Sequence, residues 1–254
     1  MNTQTNGTNE EFDKNADNDA ASQPHVPGND EKFLEAVELY RKKEWKSALS
    51  KFLSTDISIL NFDEKMEHTY YLGLCYTKLE HYEEALSFLE QVVTSSSDIL
   101  RVYQCRMTLA YIYVITKRAK MAEYELKRLQ SSGMESTLLY NTLAYAAWLQ
   151  RQHKNAVDLY EKSLELDSEN ATAMNSMGFI LADTGMDIMR ALRLCRKAVD
   201  SKPQSAAYLD SLGWAYYKSG ELLEARTWLR RALDIAPDEE VIQKHFKIVS
   251  GAQR

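Results

Sequence analysis

The sequence predicts an all-α fold, a solenoid of stacked helical hairpins. Three observations carry that expectation. Apolar residues recur at helical spacing in paired segments over positions 29–250. The paired segments return every 34 to 37 residues, with small residues at fixed places in each copy. Proline and glycine are few, 4 and 9 in 254 residues, which suits a chain made of helices. One hairpin of two short helices cannot bury its outer apolar face alone, so its copies must stack.

Positions 1–28 come first and differ in composition. Asn, Asp, Thr, Gln and Ser dominate, and Phe12 and Val26 are the only large apolar residues after Met1. Such a segment buries too little surface to offset its ordering entropy, so it is expected to be a disordered tail. Asp13, Asn15, Asp17 and Asp19 alternate like the early ligands of an EF-hand loop, but Asn18 and Pro24 stand where that loop needs Gly and Glu. No calcium site is expected there.

Six copies follow, starting at Asn29, Met66, Tyr103, Thr137, Ala171 and Ala206. The sixth sets the pattern: Leu212, Gly213 and Tyr216 lie on one face of a first helix, Ser219-Gly220 makes the turn, Ala225, Leu229 and Ala232 lie on a second helix, and Pro237 closes the unit. Gly213 and Ala225 are small because the two helices cross there. The first copy has Ala36 and Ala48 at those places, the second Gly73 and Ala85, the third Ala110 and Ala122, the fourth Ala144 and Ala156. In the fifth, Gly178 is in phase and Ala191 arrives one residue late, so the extra residue is assigned to the turn beside Gly185. The surplus residues of the first and second copies are assigned to their connections, where insertion is cheap. A last segment at about 239–250 places Val241, Ile242, Phe246 and Val249 on one face, as a helix capping the end of the stack would.

The run Leu212-Gly213, Tyr216, Ala225, Leu229, Ala232 and Pro237 resembles the tetratricopeptide repeat, a 34-residue helix-turn-helix unit. The stretch DSLGWAYY with PDEEVIQKHF is also similar to the C-terminal repeat of bacterial members, several of them envelope lipoproteins. The resemblance implies a right-handed superhelix whose concave wall comes from the first helix of each hairpin, and a protein-binding role without catalysis. On that wall one row reads Val37, Leu74, Tyr111, Tyr145, Phe179 and Trp214; a second reads Tyr40, Thr77, Val114, Trp148, Ala182 and Tyr217; a third reads Phe33, Tyr70, Met107, Asn141, Asn175 and Asp210. The expected partner-binding groove is therefore aromatic, made by Tyr70, Tyr111, Tyr145, Trp148, Phe179, Trp214 and Tyr217. Asn141, Asn175 and Asp210 are placed to bond the backbone of an extended peptide. The alternative is a scaffold that self-associates or binds through its convex face. One branch of the family clamps the acidic C-terminus of heat-shock chaperones with Lys, Asn and Arg, but the matching places here hold Phe33, Val37, Tyr71, Gln104 and Thr108. Without cations that clamp cannot hold carboxylates.

Composition narrows the rest. A net charge of −6 disfavours a nucleic-acid partner, which would need clustered Lys and Arg. Apolar runs fall far short of a membrane span, and the N-terminus lacks a signal-peptide pattern, so neither membrane insertion nor export is expected and the location is read as cytoplasmic. Cys75, Cys105 and Cys195 have no metal-ligand spacing and read as small core residues. The five histidines include no pair spaced for a metal on one helix, and no nucleotide, metalloprotease or hydrolase motif occurs, so no catalytic residue, cofactor or metal is expected. A protein or peptide partner is expected, with a homo-oligomer as the alternative.

Overall fold

The computed structural model describes residues 31–252. The polar N-terminal segment, with its expected disorder and its calcium-like spacing, lies outside the described residues. Thirteen helices and no strand occur among the described residues. They are α1 Glu31–Arg41, α2 Trp45–Leu53, α3 Phe62–Lys78, α4 Tyr82–Ser95, α5 Ile99–Ile115, α6 Ala119–Ser131, α7 Thr137–Leu149, α8 His153–Leu166, α9 Ala171–Thr184, α10 Ile188–Ser201, α11 Ala206–Lys218, α12 Leu222–Ile235 and α13 Glu240–Gly251. They group into two compact units, 31–133 with α1 to α6 and 134–252 with α7 to α13.

Each hairpin turns on one left-handed residue: Lys43, Glu80, Lys117, Arg151, Gly185 and Gly220, with φ between 60° and 89°. That conformation costs an L-residue about 1–2 kcal/mol and glycine almost nothing. Five of the turns place one residue between it and the second helix. The fifth hairpin places two, Met186 and Asp187, which locates its extra residue. Replacing Gly220, at φ +89° with open space around it, by Ala is expected to cost about 1 kcal/mol, all of it backbone strain. Thermal melting of that variant checks this, and an unchanged midpoint would mean the turn relaxes without strain.

The helix crossings need the small residues. A Cβ on Gly73 would sit 2.8 Å from the Leu89 side chain, one on Gly178 would sit 2.6 Å from Cys195 Sγ, and one on Gly213 would sit 2.7 Å from Leu229 Cγ. Ala110 and Ala144 fill the corresponding places in the third and fourth hairpins and are fully buried. After the first copy the connection, 54–61, is long as expected, and α3 also runs to 17 residues; after the second copy the connection is short and the surplus residues, assigned by sequence to it, instead lengthen α5 to 17 residues. Capping is the reason. Asn61 Oδ1 accepts from Glu64 N at 3.0 Å while Glu64 Oε2 accepts from Asn61 N at 2.8 Å, and Asp98 Oδ1 accepts from Arg101 N at 3.1 Å.

Within unit 31–133, Phe33, Ala36, Ala48, Phe52, Leu72 and Cys75 form one buried cluster, and the Tyr71 ring stacks on Phe52 at 5.5 Å. Within unit 134–252, one cluster runs from Tyr160 through Met177, Cys195, Leu209 and Leu229 to Ile242 and Val249 of α13. Each large side chain buried this way contributes about 1.5–3 kcal/mol. Arg226 of α12 fastens the end of α13, donating from Nε to the Val249 carbonyl at 3.3 Å and from Nη2 to that of Ala252 at 2.8 Å. The three cysteines are buried and unpaired. Burial holds the Cys75 and Cys195 thiols up to about 12, so neither supplies a thiolate at neutral pH.

Candidate partner-binding face

In unit 134–252 the first helices α7, α9 and α11 carry a continuous run of rings. Tyr145 stacks on Trp148 at 5.4 Å, and Trp148 meets Phe179 edge-on at 6.5 Å. Phe179 lies 6.1 Å from the His245 ring, His245 stacks on Trp214 at 4.2 Å, and Trp214 lies 5.1 Å from Tyr217. The repeat puts these rings in register, because residues one repeat apart on parallel helices fall beside one another. Lys218 Nζ sits 5.4 Å over Trp214 and donates to the Asp183 carbonyl at 2.9 Å, while Trp214 Nε1 donates to Asp183 Oδ1 at 3.0 Å. Of the rings, Trp148, Phe179 and Tyr217 are half-buried and offer a surface, whereas Tyr145 is 3 % and Trp214 8 % exposed. Burial raises the Tyr145 phenol to about 12, which keeps it a neutral hydroxyl.

The three polar residues expected to face a peptide lie deeper than the sequence suggests. Asn141 is fully buried, and its Nδ2 donates to Asn170 Oδ1 at 3.3 Å. Asn170 caps α9, accepting from Ala173 N at 2.9 Å, so the amide pair ties α7 to the start of α9. Asp210 is 1 % exposed, and both its oxygens lie 2.9 Å from His245 Nδ1. A carboxylate only accepts, so that nitrogen carries the proton it shares. Asp210 thus holds α13 rather than standing open on the wall. Asn175 is 3 % exposed, and its Oδ1 has no hydrogen-bond partner among the described residues.

In unit 31–133 the aromatic row is sparser. The half-buried Tyr70 donates its hydroxyl to Gln104 Oε1 at 3.0 Å and lies under the Arg101 guanidinium at 5.9 Å. Arg101 in turn reaches Glu67 at 3.7 Å. Tyr111, also half-buried, lies almost two turns further along α5 than Gln104.

His245 is the residue that sequence reasoning missed. It comes from the capping helix and completes the ring run between Phe179 and Trp214. The one signal for it was its spacing, 35 residues after Asp210, one repeat length, with an acid where the two preceding copies have Asn. Among the described residues no three His, Cys, Asp or Glu side chains converge as metal ligands, and no helix is long and apolar enough to cross a membrane.

Three hairpins in each unit, packed around small-residue crossings, define an α-helical repeat protein. A tetratricopeptide repeat model matches residues 169–238, and a second model of the same repeat matches 70–99 and 138–170. The chain belongs to the tetratricopeptide repeat family. It is 36% identical over 103 residues to the TPR repeat-containing protein PA4667 of Pseudomonas aeruginosa, a match covering 39% of this chain and 18% of that protein. It is 22% identical over 178 residues to the human protein O-mannosyl-transferase TMTC1, covering 69% of this chain and 20% of that protein. The chain thus spans about a fifth of the length of these relatives. Solved structures with the same fold include YrrB, described as a TPR protein with an unusual peptide-binding site, at 22% identity and a TM-score of 0.54 over 71% of this chain and 91% of that one. The thermophilic TPR protein TTC0263 of Thermus thermophilus has 18% identity and a TM-score of 0.58 over 73% and 98%. The Cut9-Hcn1 assembly has 13% identity and a TM-score of 0.68 over 86% and 42%. Tetratricopeptide repeat proteins generally mediate protein–protein interactions, and the repeat is typically a scaffold rather than a catalyst.

Proposed function

We propose that this protein is a non-catalytic adaptor, and that unit 134–252 holds a peptide or helix of a partner protein against the ring run of α7, α9 and α11. The observation that carries the reading is the row of half-buried Trp148, Phe179 and Tyr217, in ring-to-ring contact through Tyr145, His245 and Trp214. Rings fixed by neighbouring rings lose little entropy on binding, so apolar side chains of a partner gain most of their burial energy there. Asn141 and Asp210 act in this reading as supports of the wall, and Tyr70 and Tyr111 extend the binding surface only within unit 31–133.

The test uses Trp148 and Phe179, two half-buried rings of the run. With a partner captured from the native cells and its affinity measured on purified protein, the double substitution Trp148→Ser and Phe179→Ser is expected to weaken binding about thirtyfold or more, roughly 2 kcal/mol, with the helical circular dichroism retained. A folded double variant that binds the same partner with unchanged affinity rules this face out.

A further inference from the structure

Two exposed patches on the two units are complementary in charge and similar in apolar character, and neither belongs to the ring run. The first lies where the first helices of unit 31–133 begin. Phe62 opens α3 and Ile99 and Leu100 open α5, each more than half exposed, and Ile59 in the preceding loop is 63% exposed. Arg101 joins the two helix starts, reaching Glu67 of α3 at 3.7 Å and Asp98 at 3.6 Å, so the apolar side chains share one edge and that cation is already paired. Asp63, next to Phe62, and Asp56, in the loop that carries Ile59 and within the field of Lys32, are both exposed. The Asp56 carboxyl lies below its ordinary range because the Ser58 hydroxyl and N–H donate to it, so it stays anionic.

The second patch is the extra residue of the fifth hairpin and the helix after it. Met186 is 50% and Met189 65% exposed. Arg193 and Lys197 follow Met189 at one-turn intervals on the same face of α10, both exposed. Neither makes a hydrogen bond or ion pair among the described residues. Unbranched methionines adapt to irregular apolar partners, and two bases beside them match two acids beside Phe62 and Ile59.

We propose that the Phe62 edge of one molecule docks on the Met189 face of α10 of a second copy of this chain. The apolar side chains supply the adhesion, and Asp56 and Asp63 set the orientation against Arg193 and Lys197. The two surfaces differ, so the contact is heterologous and each docked pair leaves one patch of each kind unfilled. Assembly then grows with concentration. The inference is independent of the peptide-binding reading, since none of these residues lies in the ring run.

Sedimentation velocity on the full chain, from low micromolar to submillimolar concentration, tests it. The wild-type protein is expected to gain mass with concentration. Phe62→Ser with Asp63→Lys, and separately Met189→Ser with Arg193→Glu, are each expected to weaken association by about tenfold or more. Mixing these two variants is the discriminating measurement. Each retains one intact patch, so the mixture is expected to form dimers of one molecule of each kind that neither forms alone. Asp63→Lys alone and Arg193→Glu alone are each expected to weaken association, and the two combined in one chain are expected to restore growth, which a folding defect in either single variant would not do. A wild-type chain that stays monomeric throughout, as it would if a different protein covers the edge, overturns the proposal. So does a patch variant that associates as the wild type does, or a mixture that stays monomeric.

Discussion

Asp210→Ala is expected to destabilise the C-terminal end of unit 134–252 by about 3 kcal/mol, the upper end of the usual cost of leaving a buried hydrogen-bonding group without its partner. Asp210 is 1 % exposed and its carboxylate accepts from His245 Nδ1–H with both oxygens, so the substitution strands a polar imidazole between Phe179 and Trp214. Neighbouring hairpins couple mainly pairwise, so the loss is expected to appear first as fraying of α13. Hydrogen exchange in Glu240–Gly251 is expected to rise while α7 and α8 stay protected, and the Trp214 fluorescence is expected to change as the ring stacked on it leaves. Asp210→Asn, which keeps an acceptor but not the charge, is expected to cost less than the alanine variant. Equal costs for the two would mean that cavity and burial, not the charge on the accepting carboxylate, hold the helix.

Gly178→Leu ranks next, at about 1–3 kcal/mol and toward the upper end. The first atom beyond Cα at this place meets Cys195 Sγ at 2.6 Å and the Ala191 carbonyl at 3.2 Å. A thiol on a fully buried residue can move only a little, and a backbone carbonyl less, so α9 and α10 must separate. Separation reaches Met177 and Ile180 on the same helix, both fully buried. Thermal unfolding is expected to fall by several degrees, with Gly178→Ala between the wild type and the leucine variant. The pair Gly178→Ala with Cys195→Ala, which removes the sulfur the new methyl would strike, is expected to recover part of the loss. No recovery would show that the backbone carbonyl of Ala191 is the contact that matters.

Both predictions concern positions that the sequence treats differently. Gly178 is legible from its phase alone. A small residue recurs at one place in every copy, local periodicity places it on the inside of a helix, and only a close crossing explains why nothing larger is used. The same logic locates the turns, since Gly185 and Gly220 mark the left-handed residue that Lys43, Glu80, Lys117 and Arg151 adopt at the same place. The candidate site is legible only as a row of residues. That Tyr145, Trp148, Phe179, Trp214 and Tyr217 share a face follows from the repeat, but how much of each remains exposed does not. Exposure depends on which neighbour packs over each ring, and for Trp214 that neighbour is a histidine of the capping helix.

Sequence by itself therefore determined the all-helical repeat, its family, the phase of its hairpins and the identity of the aromatic row, because each is a property of residues related by short, regular spacing. Tertiary structure alone decided that Asn141 is tied to Asn170, that Asp210 is closed over by His245, and that the surplus residues of the second copy lengthen a helix instead of a loop. Those outcomes turn on capping bonds and on side chains meeting across separate helices, and an unpaired polar group in a crevice takes whichever donor or acceptor the stacking brings within about 3 Å.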